Sequence, residues 1–128
     1  MRADFLYKTQ LTLSAAGTGT ADVTTQNIVA ATGGWGAPGF GKLVAQLVLN
    51  APTGSPTTPT YDAKIQESFD GTNWTDVVAF TQATTSAAAE IKKYVTGPLA
   101  PYLRLYQAVG TASGTATYTG TLYLSLCI

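Results

Sequence analysis

Histidine is absent from the 128-residue sequence, and cysteine occurs once, as Cys127. Without imidazole the chain lacks the commonest general base and metal ligand at neutral pH. A single cysteine forms no intrachain disulfide and no Cys-based zinc site, so Cys127 reads as a small apolar residue of the last strand. Charge is also scarce: 11% of residues are Asp, Glu, Lys or Arg, against about 25% in ordinary soluble domains. Seven basic residues balance seven acidic ones, and they do not cluster into the stripe that nucleic acid requires. No stretch is long and apolar enough to cross a membrane as a helix, and the opening MRADFLYKTQ lacks the apolar run of a signal peptide.

Thr, Ala, Gly and Ser fill the space that charge leaves. Small residues tolerate close contact, and a lone soluble protein keeps a more charged surface. The composition therefore points to a surface partly covered by other chains. A low-charge, threonine-rich β domain that stands alone is the plainer alternative. The length suits one domain, residues 1–128, able to bury about two-thirds of its unfolded surface without metals or disulfides.

Residues 61–80, YDAKIQESFDGTNWTDVVAF, organise the rest. Tyr61, Ala63 and Ile65 alternate with Asp62, Lys64 and Gln66, the period of a strand with one dry face. Asp70 and Gly71 form a dipeptide that reverses the chain in a tight turn, with Gly71 at positive φ. Trp74 then returns to cover the apolar face of the hairpin. Glu67 falls by alternation on the face of Ile65 and Phe69. It either ends the strand, at a terminus or a bulge, or pairs with Arg104.

Elsewhere, Phe5 to Leu13 alternates as a first strand, residues 14–22 form a flexible turn region, and residues 23–30 make a short second strand. Residues 32–41, TGGWGAPGFG, hold Trp35 and Phe40 in a glycine-rich loop. These two aromatics either fold back over the domain edge or anchor a neighbouring subunit. Residues 42–50 are apolar on both faces, which suits a central strand covered on both sides. Residues 51–60, with three prolines, read as a projecting loop. Residues 88–95 favour a strand over a helix beginning at Ser86. Residues 101–109 place Leu103 and Leu105 opposite Tyr102, Arg104 and Tyr106. Residues 116–128 place Tyr118, Leu122, Leu124 and Leu126 opposite Thr117, Thr119, Thr121, Tyr123 and Ser125. Seven to eight strands without a helix predict an all-β antiparallel β-sandwich, either jelly-roll-like or immunoglobulin-like.

No catalytic, cofactor-binding or metal residue emerges. Asp70, Asn73 and Asp76 do not match the spacing of a calcium loop. No two of the scattered acids stand out as the carboxylate pair of glycoside chemistry. The chain is therefore expected not to be an enzyme and to need no cofactor.

The hairpin pattern S-x-D-G-x-x-W at residues 68–74, followed by Tyr102-Leu103-Arg104-Leu105, resembles two groups. One is the discoidin-type jelly-roll modules that bind sugars or lipids. The other is the small all-β structural proteins of tailed bacteriophages, including head decoration (cement) proteins. In both, Trp74 would pack and Arg104 would anchor a strand. The chain departs from discoidin modules in length, charge and cysteine content. The resemblance to the phage proteins implies a virion protein on the head surface, bound to the major capsid protein and to copies of itself, as a trimer. A tail or neck structural protein is the nearest variant of that reading. A carbohydrate-binding β-sandwich module is the alternative from another class.

Overall fold

The computed structural model describes residues 5–29, 42–95 and 99–127. Among these lie nine strands: β1 (Phe5–Gly17), β2 (Asp22–Val29), β3 (Lys42–Leu49), β4 (Thr53–Gly54), β5 (Thr60–Ser68), β6 (Thr75–Ala79), β7 (Ala88–Val95), β8 (Tyr102–Gly110) and β9 (Ala116–Cys127). Eight are full strands and β4 is a two-residue pairing. No helix occurs among the described residues.

The first sheet has the order β1-β9-β3-β7, with β4 added to β9, and the second has the order β2-β8-β5-β6. All pairings are antiparallel. The pairs nest: β1 with β9, β2 with β8, β3 with β7, β5 with β6. The chain is thus one long hairpin, with its tip between β5 and β6, rolled so that successive pairs alternate between the sheets. That winding is a jelly roll and decides between the two sandwich topologies left open by the sequence.

Leucines at every second position build the core. Leu43, Leu47 and Leu49 of β3, Leu103 and Leu105 of β8, and Leu122, Leu124 and Leu126 of β9 are all buried. Gly120 is needed where β9 passes β3, because a Cβ there would sit 2.2 Å from the Val48 carbonyl oxygen.

Four expectations change. First, β1 runs on through Ser14, Ala15, Ala16 and Gly17, which pair with β9 from Thr119 to Ala116. Alternation continues there in small residues, with Ala15 buried. The turn shrinks accordingly, and the Thr18 backbone N–H donates to Asp22 at 2.9 Å. Second, β3 is central but buried on one face only. Val44, Gln46 and Val48 are half-buried because a two-layer sandwich leaves the outer face open. Third, residues 51–60 do not project freely. Thr53 and Gly54 pair with β9, and Thr57 is tied to Ser113 and Thr111. Fourth, the tight turn at Asp70-Gly71 is part of a longer connection, since residues 69–74 all lie between β5 and β6.

Candidate interaction surface

The open face of the first sheet carries the exposed Lys42 and Lys93 toward one end, and its next two rows are uncharged. One cross-strand row reads Gln10, Tyr123, Gln46, Ile91, and the next reads Thr12, Thr121, Val48, Ala89. Tyr123 is 44% exposed and Ile91 57% exposed. Alternation produces this face directly: the leucines of β3 and β9 turn inward, leaving threonine, valine, glutamine and tyrosine outward. Those two rows give up no hydrated charge when another protein covers them.

The β5–β6 tip is the second feature. Asp70 accepts from the backbone N–H groups of Thr72 and Asn73, both at 2.8 Å, from the Asn73 side-chain amide at 2.7 Å, and from the Ser68 hydroxyl at 3.0 Å. The Gly71 N–H in turn donates to Ser68 Oγ at 2.9 Å. Gly71 takes φ +79°, as the dipeptide predicts. The donors on its carboxylate, backbone first, hold Asp70 well below the ordinary carboxylate range. A carboxyl so stabilised in its charged form is the reverse of a general acid poised near neutrality.

Phe69, beside this cap, is 83% exposed. Alternation from Ile65 would turn it inward, but β5 ends at Ser68. The chain then bends into the Asp70 cap and carries the ring into solvent. This is the residue that the sequence reading missed. A large apolar side chain adjoining an Asp-Gly turn is the signal that could have found it.

Trp74 does not cover the apolar face of the hairpin. The Arg104 guanidinium lies over its ring, 4.3 Å from the centroid. Arg104 alternates with the buried Leu103 and Leu105, so the tryptophan rests on the outer, polar side of the second sheet. Arg104 Nε also donates to Gln66 Oε1 at 2.7 Å. Gln66 in turn donates to Asp76 at 2.9 Å, and Lys64 bridges Asp76 at 3.2 Å while standing over the Tyr106 ring. Arg104 is therefore occupied by Gln66 and Trp74, and its predicted pairing with Glu67 is not made. Glu67 lies one residue before the end of β5 and accepts from the Ala100 backbone N–H at 2.8 Å. Asp70 and Asp76 face different partners and do not converge as a calcium site would require. Among the described residues no group of three metal-ligating side chains comes together. Trp35 and Phe40 lie outside the described residues.

The sequence matches no family model and no curated protein. The fold, by contrast, has solved counterparts. The PBSX exported protein XepA superposes with TM-score 0.55 at 17% identity, over 94% of this chain and 37% of XepA. The chain thus spans just over a third of that protein. Broad bean stain virus gives TM-score 0.51 at 12% identity, over 98% of this chain and 88% of the viral one. The empty top component of cowpea mosaic virus gives 0.50 at 11% identity, over 94% and 88%. XepA and the two virus-particle proteins thus share this fold. At such identities the likeness is one of fold.

Proposed function

We propose that the chain is a structural virion protein of a tailed phage, a decoration (cement) protein lying on the head shell, without catalytic activity. The observation that carries this reading is the open face of the first sheet, whose rows through Tyr123 and Ile91 and through Thr121 and Val48 carry no charge. Laid on the major capsid protein, it would bridge adjacent capsomers and add interface area that resists internal pressure. Sharing the jelly roll with virus-particle proteins supports the same reading, as do the sparse charges. The proposal includes self-association, taken as a trimer.

The test uses particles stripped of the protein, to which purified protein is added before heating. Bound protein should raise the rupture temperature. Ile91→Asp should fold normally yet occupy the shell poorly. A protein that ignores the shell and binds a defined oligosaccharide would replace this reading with the carbohydrate-binding one. A copy number of a few per particle, found by mass spectrometry, would move it to the tail or neck.

A further inference from the structure

The first sheet ends in β1 and β7, and the second in β2 and β6. An edge strand presents unpaired backbone groups to any chain that can add to it, and natural sheets guard such edges. β7 carries Glu90, Lys92 and Lys93 within eight residues. β6 has five residues, Asp76 among them, and its pairing with β5 is irregular between Ile65 and Gln66. β2 opens on Asp22 and shifts register between Asn27 and Val29. β1 is different. From Tyr7 to Gly17 its pairing with β9 runs without a break, and that stretch holds Lys8 as its one charged residue and no proline. Among the described residues nothing pairs with the other side of β1.

Which backbone groups are free follows from the register. The Asn50 N–H donates to the Thr119 carbonyl at 2.9 Å, so Thr119 turns its backbone groups toward β3. Along an antiparallel strand this direction alternates. Thr117, Thr121 and Tyr123 therefore also turn away from β1, whereas Tyr118, Gly120 and Leu122 turn toward it. The partners of these last three, Ala15, Leu13 and Leu11, bond to β9. Gln10, Thr12, Ser14 and Ala16 turn their N–H and C=O groups outward, and all four residues are exposed.

This edge is complementary to itself. Two copies of Tyr7–Gly17 laid antiparallel overlap fully when Thr12 faces the partner's Thr12. In that register Gln10 faces the partner's Ser14, and free donors meet free acceptors at each outward residue. On the inner side the half-buried Leu11 stands beside the partner's Leu13, apolar against apolar. Lys8 falls opposite the partner's Ala16, so no two like charges meet. The twofold axis through Thr12 stands normal to the sheet, and both open faces then look the same way. The uncharged row Ala89, Val48, Thr121, Thr12 continues directly into its copy.

We propose that β1 of one copy pairs antiparallel with β1 of a second copy about Thr12, joining the two first sheets into one. The contact is isologous and closes on itself as a dimer. This rests on the self-association in the proposed function and gives it twofold symmetry in place of threefold. The joined open face then lies across the shell as a single surface.

The experiment is sedimentation of the full chain over a range of concentrations, with backbone amide exchange read residue by residue. Wild type should form a dimer. The amides of Gln10, Thr12, Ser14 and Ala16 should exchange slowly in the dimer and fast after dilution, while those of Leu11 and Leu13 stay protected in both. Ser14→Pro deletes an outward N–H and no bond to β9. It should keep the wild-type circular dichroism spectrum and weaken the dimer about tenfold or more. Ala16→Lys sets a like charge against the partner's Lys8 twice per dimer and should weaken it about fivefold, whereas Ala16→Glu should strengthen it. The Ala16 variants read the register without a change to the backbone. The inference is overturned by a dimer in which those four amides exchange as fast in the dimer as after dilution, or by Ala16 variants that dimerise alike. A monomeric wild type that binds the shell, or a trimer that leaves these amides exposed, would overturn it and leave the decoration reading intact. A dimer that protects them but ignores the shell would uphold it and remove the decoration reading.

Discussion

The hydroxyl of Tyr61 donates to Gln107 Oε1 across 2.6 Å inside the sandwich. The Tyr61 ring also packs on Tyr118 of the facing sheet, with centroids 5.1 Å apart and planes at 41°, and Tyr118 donates to the Thr84 carbonyl at 2.5 Å. Burial pushes the Tyr61 phenol above the ordinary tyrosine range, so it stays protonated and remains a donor. A polar pair thus sits among leucines without leaving either partner unmatched. Gln107→Leu should cost about 1–3 kcal/mol, because it strands the buried hydroxyl. Adding Tyr61→Phe should cost less than the sum of the single changes. Denaturant unfolding of both single variants and the double one measures that coupling, and strict additivity would show that the bond contributes nothing.

Leu124 sits in the same core, 2% exposed in the middle of β9. Leu124→Ala should destabilise by about 2–5 kcal/mol, from lost transfer energy plus the cavity left behind. A variant with an unchanged melting temperature would contradict the burial of that strand.

Gly71 separates conformational strain from steric crowding. A Cβ there would meet the Tyr102 ring at 3.5 Å, which is ordinary contact, while φ is +79°. The penalty is therefore backbone strain alone. Gly71→Val should cost on the order of 1 kcal/mol or more, and Gly71→Asn distinctly less, since Asn tolerates the left-handed region. Equal melting temperatures for the two variants would mean that crowding dominates instead.

The parts of this fold legible in the sequence are those set by neighbours in the chain. Leu103 and Leu105, or Leu122, Leu124 and Leu126, declare an inward face by their period of two. Gly71 declares its positive φ by standing after Asp70. The jelly-roll winding was not legible, because it depends on which distant strands pair, and the same leucine periods fit an immunoglobulin-like order equally well. The pinning of residues 51–60 was hidden for the same reason: Thr57 is held by Thr111 and Ser113 across the sandwich end. Trp74 misled because a tryptophan after a turn reads as core. Only the register of Gln66 opposite Arg104 shows that a guanidinium awaits it on the polar face. Phe69 was hidden because alternation does not announce the residue at which a strand stops.

Asp70 should also set part of the acid limb of stability. Its carboxylate is held below its ordinary value of 3.8 by the N–H groups of Asn73 and Thr72 and by the side chains of Asn73 and Ser68. A folded-state value below the unfolded one means that the unfolded chain binds the proton first. The stabilisation is then full above about pH 4 and drains away as pH falls toward the depressed folded-state value. Asp76, bonded to Gln66, and Glu90, bonded to Thr81, are shifted in the same direction and add to the same limb. Asp70→Asn removes the titrating group and sets an amide donor against the Asn73 amide. The variant should melt lower than wild type at pH 7, and the gap should narrow as the pH is taken from 5 to 2. Thermal melts of both proteins across that range decide it. A gap that stays constant with pH would show that the cap acts through shape alone and that the charge on Asp70 contributes nothing.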